Sequence, residues 1–65
     1  MTAARRILIV EDHKPLRSLL SFLLSNAGYE TFETADAMSA LDEASRQQPD
    51  LVLLDWQLPD MEGIK

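Results

Sequence analysis

The chain has no cysteine and is sparing with every other special residue. It carries one histidine, one tryptophan, one tyrosine, two phenylalanines, two glycines and three prolines in 65 residues. Without thiols there is no disulfide framework of the kind that rescues small secreted domains, and no thiolate zinc site. A single histidine, His13, excludes a histidine-rich metal centre. Positive charge is also short: six Lys and Arg stand against eleven Asp and Glu, for a net charge of −5. Proteins that grip nucleic acid carry the opposite sign, so no direct nucleic-acid contact is expected of this segment. A divalent cation or a basic partner surface suits an acidic domain better. Long apolar runs are missing too. Nothing approaches the ~20 residues that span a bilayer. Arg5-Arg6 is followed by only the four apolar residues 7–10, short of the ~7–15 of a signal peptide. The expectation is a cytoplasmic chain with no membrane contact. Hydrophobic residues make up 46 % of it and the charges are scattered, which argues against disorder. There is room for one small domain, residues 1–65, burying only ~60 % of the surface its unfolded form exposes.

What is present alternates between two periods. Ile7-Leu8-Ile9-Val10 is a short continuous apolar run rich in β-branched residues, the pattern of a strand buried on both faces of a parallel sheet. It ends abruptly at Glu11-Asp12. Leu16, Leu19, Leu20, Leu23, Leu24 and Ala27 then recur at helical spacing, giving an amphipathic helix whose stripe reads as core. Pro15 is tolerated in the first turn, and Gly28 sits where a helix end needs a left-handed residue. Phe22 lies off the stripe. Residues 29–34 read as a second strand, more polar and so suited to a sheet edge. Asp36 is placed to cap a second helix over about residues 37–48, with Ala40, Leu41 and Ala44 as its narrow apolar face. Pro49 stops it. Leu51-Val52-Leu53-Leu54 is a third buried strand, again ending at an acid, Asp55, and a turn-rich loop follows.

Strand, helix, strand, helix, strand implies an open parallel sheet with right-handed crossovers. Two strand orders remain, 1-2-3 and 2-1-3. The more polar second strand belongs at an edge, which favours 2-1-3. That order makes the first and third strands neighbours, at the kind of switch point where open α/β sheets bind ligands. Carboxylates more than forty residues apart then meet in one cleft. Two unit charges ~4 Å apart repel by ~4 kcal/mol at an effective dielectric of ~20. A proton or a cation must offset that. Oxygen ligands with open water positions suit magnesium. The blander alternative makes these acids helix caps or solvated loop charges. Three of them, each straight after an apolar strand, favour the cleft.

These residues carry a resemblance. Ile7-Leu8-Ile9-Val10-Glu11-Asp12 resembles the opening of a response-regulator receiver domain. Leu53-Leu54-Asp55-Trp56-Gln57-Leu58-Pro59-Asp60-Met61-Glu62-Gly63 resembles that family's phosphoacceptor strand and loop. The likeness covers residues 6–65, and Asp55-Trp56 with Leu58-Pro59 and Gly63 is similar to the OmpR/PhoB branch. The resemblance implies an α/β, flavodoxin-like parallel sheet, here its amino-terminal half, βαβαβ in strand order 2-1-3. It implies that Asp55 accepts a phosphoryl group from a sensor histidine kinase. Mg2+ would be held by Glu11, Asp12 and Asp55 with the backbone carbonyl of Gln57. Phosphoryl transfer needs positioning and charge neutralisation more than covalent help, which agrees with that set. Such a domain is a signalling module rather than an enzyme, limited to self-phosphorylation and self-dephosphorylation. Lys14 is placed to touch a phosphate or to sit in solvent. Pro59 and Gly63 shape the loop, and Trp56 and Met61 read as packing residues.

The chain also departs from the family. A complete member has five strands and five helices, with a Ser or Thr ending the fourth strand and a Lys ending the fifth. Neither position is present, so the chain reads as truncated after the third strand and its own transfer activity is in doubt. A DNA-binding domain is expected in a full-length parent. The third strand, apolar on both faces, becomes an edge that invites self-association. The alternative function is a non-signalling α/β half-domain that serves assembly or folding. A haloacid-dehalogenase-type enzyme needs a second Asp two residues after the nucleophile, where this chain has Gln57. Nucleotide binding lacks a Gly-rich loop after the first strand.

Overall fold

The computed structural model describes residues 4–54. Its elements in chain order are β1 (Arg6–Val10), α1 (Lys14–Asn26), β2 (Glu30–Thr34), α2 (Ala37–Gln47) and β3 (Leu51–Leu54). All strand pairs are parallel, and the order is β2-β1-β3. This is the amino-terminal half of a flavodoxin-like α/β fold, as the patterning predicts. β1 aligns Ile7 with Thr31 on one side and with Leu51 on the other, and Val10 with Thr34 and Leu54.

The core lies on the central strand. Ile7, Leu8, Ile9 and Val10 are each at most 4 % exposed. Burying an aliphatic side chain that fully contributes about 1.5–3 kcal/mol. Alternation divides the four. Leu8 and Val10 pack with Ala40 of α2, backed by Phe32, Ala37 and Ala44. Ile7 and Ile9 point to the opposite face, where Ile7, Leu24, Tyr29, Leu51 and Leu53 line a cavity of about 320 Å³.

Local chemistry sets the helix ends. Gly28 takes φ +102°. Its N–H donates to the carbonyl of Ser25 at 3.0 Å, and that of Tyr29 to the carbonyl of Leu24 at 3.1 Å, the paired bonds of a Schellman stop. Asp36 caps α2 through its side chain, accepting from the Ser39 N–H at 2.7 Å. α2 ends one residue short of the predicted boundary. Gln48, the residue before Pro49, is disfavoured in the right-handed α region, and it closes the helix in the left-handed region at φ 49°.

Three expectations about packing need correction. The apolar face of α2 is Ala37, Ala40 and Ala44, whereas Leu41 is 69 % exposed. The stripe of α1 is only partly core. Leu20 and Leu24 are half-buried, while Leu16, Leu19 and Leu23 are exposed. The reason is geometric: α1 lies over β1 and β2, and neither helix packs on β3. Leu51, Val52 and Leu54 are correspondingly exposed, so β3 is not the buried strand its apolar run predicts. At the amino end of the sheet Arg6 joins three elements. Its side chain donates to the Gln47 carbonyl and to Glu30, and its N–H donates to the Asp50 carboxylate.

Candidate functional site

The site forms where β1 and β3 end side by side. Val10 pairs with Leu54, so both apolar runs stop at the same edge of the sheet. Glu11 follows β1 directly and is 7 % exposed, a rare degree of burial for a carboxylate. Its N–H still belongs to the sheet, donating to the Thr34 carbonyl at 3.0 Å. Its side chain folds back over the turn, and Oε2 accepts the His13 N–H at 3.1 Å. Asp12 sits in the bend that follows and is exposed. A cavity of about 220 Å³ opens here, lined by Ile9, Val10, Glu11, Leu20, Leu53 and Leu54. Thr34 underpins the same end of the sheet. It is buried, and its hydroxyl donates to the Ile9 carbonyl at 3.2 Å.

Of the predicted site residues, Glu11 and Asp12 stand together at this edge. Asp55 and Gln57 lie outside the described residues, as do Trp56, Pro59, Met61 and Gly63. Lys14 begins α1 and is exposed. His13 occupies the position before α1 without a capping side-chain bond, in keeping with a loop residue. Among the described residues, no group of three His, Cys, Asp or Glu side chains converges as a metal centre. The donors at the edge are nonetheless of one chemical kind. Glu11 and Asp12 offer carboxylate oxygens from consecutive positions, with no thiolate near. That set fits a hard cation that keeps several waters.

Arg17 is a site residue that sequence reasoning missed. From α1 its Nη1 donates to the Glu11 carbonyl at 2.8 Å, and its Nε lies 3.5 Å from Glu33 Oε1 on β2. Its side chain is only 17 % exposed. The one signal for it is an arginine beside the apolar stripe, one turn into the helix after the acidic pair.

The sequence model of the response regulator receiver domain matches residues 7–65. The chain belongs to that family. Among curated relatives, this receiver segment is 45 % identical over 62 residues to the phosphate regulon transcriptional regulatory protein PhoB of Escherichia coli (strain K12), covering 95 % of this chain and 27 % of that protein. It is 44 % identical over 62 residues to the PhoB of Klebsiella pneumoniae, with the same shares covered. It is also 45 % identical over 60 residues to the sporulation initiation phosphotransferase F of Bacillus subtilis (strain 168), covering 92 % of this chain and 48 % of that protein. The receiver segment thus spans about a quarter of the PhoB proteins and about half of the phosphotransferase. None of the helices among its described residues is long and apolar enough to cross a membrane.

Proposed function

We propose that this receiver segment is the phosphoacceptor part of a response regulator of the PhoB type, with Asp55 as the acceptor. The observation that carries the reading is the parallel pairing of β1 with β3 through Val10 and Leu54. Asp55 is the next residue after Leu54 in the sequence. Glu11 follows Val10 in the same way. Glu11, Asp12, Asp55 and the Gln57 backbone carbonyl would hold Mg2+. When bound, the cation neutralises charge between an anionic nucleophile and an anionic phosphoryl group. The protein's own part is to gather the oxygens and to hold Asp55 in line. A carboxylate oxygen of Asp55 attacks the phosphorus of a phosphohistidine on a sensor histidine kinase. The P–N bond breaks, its electron pair stays on the imidazole, and that nitrogen takes up a proton. The chain acts as a signalling partner in the cytoplasm, its catalysis confined to its own phosphorylation and dephosphorylation. DNA binding belongs to a separate domain of a longer parent.

The test is direct. The chain is incubated with magnesium and acetyl phosphate, then weighed intact. One added phosphoryl group is expected, lost in Asp55→Asn. A wild-type mass that does not change, with magnesium binding also absent, overturns the reading.

A specific observation favours a second reading, assembly. Among the described residues, β3 has a free edge and no helix against either face. An unpaired apolar edge is a template for another strand, so a second copy pairing there gives a half-domain whose role is association rather than signalling.

A further inference from the structure

We propose that Arg17 is a positioning residue for the acidic site: it clamps the turn that carries Glu11 and Asp12. This rests on the reading of that turn as a cation site. The Glu11 N–H remains in the sheet, bonded to Thr34. Its carbonyl, just past the end of β1, accepts from Arg17 Nη1 of α1 at 2.8 Å, so a helix side chain reaches the main chain of the acidic turn.

The clamp works because of what else holds the guanidinium. Glu33 on β2 lies 3.5 Å from Nε while Nη1 serves Glu11. One planar fork therefore ties α1, the end of β1 and the edge strand together, a task for which lysine lacks the geometry. The bond is charge-assisted, hence stronger than a neutral one. It engages the main chain of Glu11 rather than its carboxylate, whose Oε2 accepts the His13 N–H.

The experiment compares wild type, Arg17→Met and Arg17→Lys by amide hydrogen exchange, by magnesium titration and by urea unfolding. In Arg17→Met the amides of Asp12 and His13 should exchange about tenfold faster, the loss of one charge-assisted bond. Those of Ile9 and Ala40 should keep their rates. Magnesium affinity should fall about tenfold, with Arg17→Lys lying between the two. Uniformly faster exchange at all four amides, matched by a lower urea midpoint, would make Arg17 a general stabiliser and overturn the inference. So would Arg17→Met binding magnesium as tightly as wild type. If Arg17→Met fails to fold, Glu33→Gln carries the test: it should speed exchange at Asp12 and His13 less than Arg17→Met would, and unchanged rates in it overturn the clamp. A wild-type chain that takes up no magnesium overturns the cation reading of the site and this inference with it. Magnesium uptake by wild type, with exchange at Asp12 and His13 unmoved in Arg17→Met, overturns the inference alone.

Discussion

Asp36 has an extended backbone, and its carboxylate reaches the Ser39 N–H at 2.7 Å. That bond satisfies one of the free amides at the start of α2. Removing it in Asp36→Ala should cost about 1 kcal/mol, read as a lower urea midpoint with an unchanged slope. This cap was legible in the sequence, because a short acceptor just before an apolar periodicity has few other roles. Leu41 was misplaced for an equally physical reason. Hydrophobicity marks it as core, yet the close approach of α2 to β1 leaves space only for the alanines at 37, 40 and 44. Arg17 was illegible. Its partner is a main-chain carbonyl, and every residue type carries one.

At the scale of elements, the two apolar runs and the two caps are enough to order β1, α1, β2, α2 and β3. They work because each local preference agrees with the global arrangement. The strand order follows from the greater polarity of β2, which is an edge strand. The end of α1 tests that logic. Gly28 holds φ +102°, and a Cβ there would meet nothing within 4 Å. The cost of Gly28→Ala is therefore backbone strain without a clash. It should destabilise the chain by about 1 kcal/mol, and Gly28→Asn by less, since asparagine tolerates left-handed backbone. Equal urea midpoints for the alanine and asparagine variants would count against this account. The third strand, β3, illustrates where the sequence stops helping. Leu51–Leu54 is readable as a strand buried on both faces, but only its pairing with β1 shows how much of it is left uncovered.

At the scale of the molecule, the described residues form a half-layer: two helices cover β1 and β2, and β3 stands open. The proposed pairing of a second copy at that edge gives a concentration-dependent prediction. Sedimentation equilibrium should show dimers at high concentration, and Val52→Lys, which puts a charge on the open strand, should shift them to monomers. A compact monomer at every concentration would exclude the pairing. The central place of β1 has one more consequence, for biosynthesis. Its first residue, Arg6, bonds to partners 24 and 44 positions downstream. The strand that holds the sheet together thus leaves the ribosome before both of its partners, and its second flank waits until residues 51–54 have emerged. Such non-local closure is slow. A nascent polypeptide halted before residue 51 would display Ile7–Val10 with one flank bare, an ideal client for a holding chaperone.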